Sequence, residues 1–432
     1  MSSEARSLSI DRLIDIVRNG GTVKTGVDVY NQDNILLLEK NVLINSVKPL
    51  LIIKQNGIDN VPIDPKDAGG LWDRNGLSVL PAVSDRKPSD VLKLKEKVEQ
   101  ITYIKQEAAR KYRKAKENIR KVIDDIKRTG GEFDHAIVQD TVTDLFDFIT
   151  RNDSAFFYLT RDIFSYDDYL YHHSINVCTI GTAIMKKTVE IFGEKVRLYS
   201  RQDLFDISTG FFLHDVGKVL IPDEILNKPG RLTSEEFEVV KGHSFKTGAE
   251  VLKKNHIRNP LIRDIVRYHH GALFDGEERC YPDTKSAAVL PPHVRIGKLA
   301  DIYDAMTSKR CYKDAVNPVA VVTNIIRSYA GKDDSLQLLL HSFVKSVGIY
   351  PPGSVVHLMN RRLAYVLDSE GPVVIPFTDT GGEVIPEQVD PINLASETLK
   401  EAGWKVNDME PLVSPEDAYR MLPEYLKQPA AA

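Results

Sequence analysis

From Asp90 to Arg128 the sequence contains neither proline nor glycine. Apolar or small residues recur in it at Val91, Leu94, Val98, Ile101, Ile104, Ala108, Tyr112, Ala115, Ile119, Val122 and Ile126. The gaps are three or four residues throughout and average about 3.5, so the stretch reads as one long helix with a single apolar stripe. Lys and Glu fill most of the remaining positions, as on a solvated helix laid against a partner. Packing on the chain's own domain and a homodimer seam both satisfy such a stripe. The basic residues Lys105, Arg110, Lys111, Arg113 and Lys114 read as the solvated face rather than as a nucleic-acid patch.

A chain of 432 residues has room for about three structural units around that helix. Residues 1–88 mix short apolar strings (Val23 to Val29, Ile35 to Leu38, Leu50 to Ile53, Val61 to Ile63) with turn signals at Gly20-Gly21 and Asn56-Gly57. They read as a small α+β regulatory module, with a Pro/Gly-spaced linker from Pro62 to Pro88. Residues 89–150 form a helical linker. In 151–345, periodic apolar segments at 174–192, 203–213, 235–253, 261–268, 294–306 and 319–345 predict an all-α domain. Short β-like strings after Gly348 predict a β-rich appendage over 346–398, and 399–432 reads as a helical tail. The expected class is mainly α.

Hydrophobic residues at 42% and charged residues at 27% suit a soluble globular chain with a real core. A net charge of −4 argues against polymeric nucleic acid or an anionic membrane as partner, so an anionic ligand has to be met locally. The three cysteines, Cys178, Cys280 and Cys311, lack metal-type spacing and are odd in number, which favours a reducing compartment. Glu4, Asp11 and Asp15 interrupt any secretory apolar run, and no apolar stretch approaches the roughly 20 residues of a membrane helix. The expectation is a cytoplasmic protein without membrane insertion.

Five of the eleven histidines, His173, His214, His243, His269 and His270, fall at motif-like places on predicted helices. His214 and Asp215 are adjacent, and Lys218 lies four and three residues on, so one helix face can present two metal ligands and a cation. Asp301 and Asp304, three apart, likewise share a face. Imidazole with carboxylate suits iron, manganese or zinc better than calcium or magnesium. Each residue alone is more often a surface or structural group; the ensemble carries the reading. His135, His172, His256, His293, His341 and His357 show no partner pattern and read as structural or surface residues.

His214-Asp215-Val216-Gly217-Lys218, followed by Ile221-Pro222-Asp223-Glu224-Ile225-Leu226-Asn227-Lys228-Pro229-Gly230, resembles the signature of the HD-GYP branch of the HD-domain phosphohydrolases. His173-Ser174-Ile175-Asn176-Val177, His243 with Gly248, His269-His270, and Asp301-Ile302-Tyr303-Asp304-Ala305-Met306-Thr307 through Arg310-Cys311-Tyr312-Lys313 follow in the family's order. The likeness is strong over about 150–345.

The resemblance implies an all-helical HD-type phosphohydrolase domain with two divalent ions, iron or manganese. His173, His214, Asp215 and Asp301 would hold one; Asp215 would bridge to a second on His243, His269 and His270. A third ion in some members uses a glutamate where this chain has Tyr169, so two are expected, although Asp167 and Asp168 lie nearby. Lys218 would meet a non-bridging phosphate oxygen, Arg310, Lys313 and Tyr281 would contact substrate, and Asp304 would orient a ligand. The implied reaction opens cyclic di-GMP to pGpG, with GMP as a further product, by attack of a metal-activated hydroxide on phosphorus, in bacterial signalling with protein partners.

This chain departs from the family after the histidine pair. Gly271 replaces a glutamate, Cys280 replaces the glycine before Tyr281-Pro282, two residues are inserted, and Ser244 replaces a proline. The alternatives are therefore hydrolysis of another cyclic or phosphorylated nucleotide, or a non-catalytic cyclic di-GMP receptor or scaffold.

Overall fold

The computed structural model describes residues 6–31, 35–64, 69–74, 76, 88–152, 159, 169–196, 199–228, 230–282, 290–308, 314–369, 372–387, 389–395 and 403–427. The stretch without proline or glycine lies in one helix, Pro88–Thr129. Ile104, Ala108, Tyr112, Ala115, Ile119, Val122 and Ile126 on its stripe are all buried within the single chain. Asn118 Nδ2 donates to Thr141 Oγ1 at 2.9 Å, and Lys114 pairs with Asp140 and Asp144 of the His135–Arg151 helix at 2.9 and 2.7 Å. Along Ile104–Ile126 the stripe is thus consumed intramolecularly, and the homodimer seam considered for the 90–128 helix has no free apolar face there.

The chain divides into two compact units, residues 1–98 with 378–383, and residues 99–377 with 384–432. The segments expected at 89–150, 346–398 and 399–432 therefore fall mostly in one unit with 151–345.

In the first unit, Arg6–Ser9 pairs antiparallel with Asn60–Ile63, Thr22–Lys24 with Gly70–Trp72, and Val29–Tyr30 with Leu36–Leu38. The Ile10–Arg18 and Val47–Gln55 helices complete a core of Leu13, Ile14, Val23, Leu50, Ile53, Val61 and Leu71. The Leu50 to Ile53 string is helical: Leu50 and Ile53, three apart, are buried while Leu51 and Ile52 are exposed. Pro62 and Gly70, expected in a linker, lie in strands. Two-stranded sheets have only edges, where a proline removes no obligatory ladder bond.

The helical body of the second unit is punctuated as its sequence dictates. Ser200 and Asp203 form a capping box before Arg201–Leu213, and Thr233 and Glu236 form another before Ser234–Gly242. Asn259 caps Pro260–Tyr268 with proline in the first turn. The 319–345 segment splits at Gly331, whose φ of +73° ends one helix, Pro318–Tyr329, before Asp333 caps the next, Asp334–Val347. Beyond it an antiparallel sheet runs in the order Ile392–Asn393, Val373–Pro376, Leu363–Asp368, Val355–His357. Trp404 and Val406 pack into this sheet's core with Val356 and Val366. Residues 404 and 406 of the tail are therefore part of the sheet layer, and among the described residues of 399–432 the helix is Pro415–Met421. Among the described residues no helix is long and apolar enough to cross a membrane.

Candidate metal centre

Four helix ends and two helix faces deliver the candidate ligands. His173 lies on Tyr169–Val196, and Asp301 and Asp304 lie on Pro292–Thr307. His214 closes Arg201–Leu213, after which Val216–Leu220 tightens into a 3-10 turn. The continuous helix face expected for His214, Asp215 and Lys218 is thus broken at Leu213. The three-residue step from Asp215 to Lys218 survives, with Lys218 Nζ 2.6 Å from Asp215 Oδ2. His243 opens a π-helical turn, His243–Gly248, of the kind common at functional sites. His269 caps Pro260–Tyr268 and His270 follows. A Cβ at Gly217 would lie 2.0 Å from the His243 carbonyl oxygen, so only glycine lets the two ligand-bearing turns meet.

Backbone and carboxylate acceptors set the tautomers of four histidines. Nδ1 of His214 faces the Phe211 carbonyl at 2.8 Å, that of His243 the Val240 carbonyl at 2.6 Å, and that of His269 the Val266 carbonyl at 3.1 Å. His173 Nδ1 faces Asp304 Oδ2 at 2.7 Å. A carbonyl cannot donate, so Nδ1 carries the hydrogen and Nε2 presents a lone pair inward. Those Nε2 atoms meet in pairs, His173 with His214 at 3.1 Å and His243 with His269 at 3.2 Å.

Asp215 stands between the two pairs. Its Oδ2 lies 3.2 Å from His173 Nε2 and 3.4 Å from His214 Nε2, while its Oδ1 lies 3.1 Å from His243 Nε2 and 3.6 Å from His269 Nε2. Asp301 reaches His173 Nε2 at 3.3 Å on one side and His270 Nδ1 at 3.8 Å on the other. Asp215 Oδ1 and His270 Nε2 are buried without a hydrogen-bond partner. Converging lone pairs, buried carboxylates and two orphaned polar atoms make a donor set that fits divalent cations.

The electrostatics agree with that donor set. Burial, then the neighbouring His269, holds the His270 imidazole well below its ordinary range, and burial also lowers His243 and His269. These rings are neutral at pH 7, the form that binds a metal. Burial works against ionised Asp215 and Asp301, yet Lys218 and His214 beside the first and His173 beside the second hold both carboxyls well below the usual range. Burial likewise opposes charge on His173, but Asp215, Asp301 and Asp304 pull it well above its usual value. The three carboxylates favour positive charge at this position, whether a proton on Nε2 or a cation that Nε2 would bind as the neutral ring.

Behind the cluster, Asp304 also accepts from Asn176 Nδ2 at 2.7 Å and Ser308 Oγ at 2.9 Å, which fixes the carboxylate that orients His173. Asn176 carried no role in the sequence reading, although it sits three residues after His173. His172, read as lacking a partner, is buried, its Nδ1 hydrogen-bonded to the Tyr112 hydroxyl. Tyr281 stacks on His270 with ring centroids 4.5 Å apart. Arg310 and Lys313 lie outside the described residues, as do Asp167 and Asp168, so their expected roles receive no geometry.

A largely buried ion pair holds the 271–282 loop. Lys298 Nζ meets Glu277 Oε2 and the Gly271 carbonyl, each at 2.9 Å, and Cys280 Sγ at 3.4 Å. Glu277 also accepts from Leu273 N and the Tyr329 hydroxyl. A Cβ at Gly271 would come within 2.5 Å of Leu290 Cδ1, so the family's glutamate would need that leucine to move. Removing one partner of a buried pair strands the other. Lys298→Met is therefore expected to cost about 3 kcal/mol in thermal unfolding, and Lys298→Met with Glu277→Met to recover most of it. An unchanged midpoint in the single variant would contradict the coupling.

Residues 163–335 match the family model of the HD domain. Over 373 residues, 84% of this chain and 84% of the relative, the chain is 30% identical to a cyclic di-GMP phosphodiesterase of Pseudomonas aeruginosa. It is 39% identical over 103 residues to the cyclic di-GMP phosphodiesterase response regulator of Xanthomonas campestris pv. campestris, 24% of this chain and 26% of that one. To a 3'3'-cGAMP-specific phosphodiesterase of Vibrio cholerae it is 38% identical over 102 residues, 24% of this chain and 19% of the relative.

Proposed function

Because the chain belongs to the HD-GYP family of HD-domain phosphohydrolases, and is with it a metal-dependent cyclic-nucleotide phosphodiesterase, we propose that it opens cyclic di-GMP to linear pGpG at a two-metal centre. One observation carries the reading: each carboxylate oxygen of Asp215 faces a different pair of histidine Nε2 atoms. His173, His214 and Asp301 would hold one ion, His243, His269 and His270 the other, with Asp215 shared. Two divalent ions so held would supply positive charge to the phosphodiester and acidify water at neutral pH.

The chain's own groups do the rest. Asp304 keeps the His173 Nε2 lone pair aimed inward, as backbone carbonyls do for His214, His243 and His269. Lys218, 2.6 Å from Asp215 and partly exposed, is placed to give up that carboxylate to an ion and turn its charge to a phosphate oxygen. Tyr281, stacked on His270, offers a flat wall to a base or ribose and excludes water from that side. The likeness to a 3'3'-cGAMP-specific enzyme and the altered 271–282 loop favour a second reading, in which another cyclic dinucleotide is the substrate.

The test loads the full chain anaerobically with iron or manganese and follows both dinucleotides by product chromatography. The expected result is pGpG from cyclic di-GMP, lost on chelation and restored by either metal. Faster turnover of 3'3'-cGAMP selects the second reading. Binding without turnover under every metal would overturn both in favour of a receptor.

A further inference from the structure

The Ala249–Lys254 and Pro260–Tyr268 helices, with the turn between them, line a partly open cavity of about 560 Å³. Among the described residues, none of the seven candidate metal ligands lines it. Its rim carries Lys253, His256, Arg258, Arg263 and Arg267, all exposed, against one acid, Asp264. This is a local concentration of positive charge on a chain whose net charge is −4.

Among the described residues the side chains of Lys253, Arg258 and Arg263 make no hydrogen bond or ion pair, whereas adjacent Lys254, outside the cavity, pairs with Glu250 at 3.4 Å. Arg267 lies 5.4 Å from the Tyr268 ring centroid. Like charges around one cavity repel one another less when an anion enters, and Arg presents the planar fork that phosphate oxygens match. Below the rim the wall is apolar, with buried Leu252 and Val266 beside Ile257 and Tyr268. Burial raises the Asp264 carboxyl above its usual range, against the pull of Arg263 and Arg267 beside it. The volume falls in the range of small-molecule sites, roughly 300 to 1,000 Å³, and far exceeds what one phosphate fills. A cationic rim over an apolar and aromatic wall suits a phosphate ester that also carries a planar ring.

The cavity is built from segments that carry metal ligands at their ends. The π-helical turn begun by His243 runs directly into Ala249–Lys254, and Tyr268 precedes His269 and His270. Val266 packs against the end of that turn: a Cβ at Gly248 would lie 3.0 Å from Val266 Cγ1. Closing or opening the two helices on a ligand would change how His243 Nε2 meets His269 Nε2, now 3.2 Å apart.

We propose that this cavity is an effector site for a nucleoside phosphate, whose occupancy adjusts the spacing of the His243 and His269 side chains and with it turnover. ATP, GTP and tripolyphosphate serve as probes on the full metal-loaded chain by titration calorimetry, in parallel with turnover at saturating cyclic di-GMP. An Arg263→Glu/Arg267→Glu variant, altered only at exposed positions, is expected to bind ATP or GTP at least tenfold more weakly. Its basal turnover should be unchanged and its response to nucleotide lost. Titration of Asp215→Ala isolates binding at the cavity from the metal centre, so a failure of the catalytic reading leaves this result interpretable. No binding at millimolar probe, equal binding to the double variant, tripolyphosphate bound as tightly as the nucleotides, or binding that leaves turnover unchanged would each overturn the proposal.

Discussion

Asp215→Ala is expected to empty both metal positions at once and to lower turnover by at least about a thousandfold, the loss of several kcal/mol of transition-state stabilisation. The reason lies in the two directions of one side chain: Oδ2 serves the His173 and His214 side, and Oδ1 serves the His243 and His269 side. No other carboxylate among the described residues faces both pairs. Replacing any single histidine leaves the other half of the centre with its own ligands, so those variants should keep about one ion per chain. Metal content by mass spectrometry, read beside circular dichroism to confirm folding, separates the two behaviours. Two ions retained per chain in Asp215→Ala would sink the shared-ligand assignment.

Lys218→Met is expected to lower kcat by about a hundredfold while leaving metal content unchanged. Among the described residues Lys218 touches the centre through Asp215 Oδ2, at 2.6 Å, and it is no candidate ligand. Its side chain is 19% exposed while Asp215 is 1% exposed, so the ammonium lies on the solvent side of the carboxylate. Because its charge would act on the oxygen that becomes more negative in the transition state, the loss should fall on kcat more than on KM. Lys218→Arg should restore part of it. A variant that loses metal instead, or whose kcat stays within about threefold of the parent, would show that Lys218 only balances Asp215.

Much of the helical body was readable because its instructions are local. The capping box at Ser200 and Asp203, the one at Thr233 and Glu236, and the Asn-Pro starts at 259 and 317 are each written in four residues or fewer. The stripe of the Pro88–Thr129 helix was equally plain, but its use was not. A 3.5-residue spacing has the same form whether it meets a second copy or, as from Ile104 to Ile126, the chain's own helices. The N-terminal module was harder to read, since strands of two to four residues carry too few positions to set a period. There Leu50 and Ile53 looked like part of an apolar run until burial separated them from Leu51 and Ile52.

The sequence by itself determined which residues could bind a cation, because His214 and Asp215 are neighbours, His269 and His270 are neighbours, and the rest occur in the order of a known family. Where the helices break at His214 and His243 was not legible, since 235–253 read as one periodic segment and His214, Asp215 and Lys218 as one face. Only the tertiary structure decided how they pair. His173 meets His214 across 41 positions, and Asp304 orients His173 across 131. Lys298 holds the altered loop through Glu277, and the cationic cavity brings residues of two helices and their connecting turn into one wall. Local spacing specifies which face of an element a side chain occupies; which face it meets depends on how the elements bury their apolar surfaces together, and that is a property of the whole packed chain.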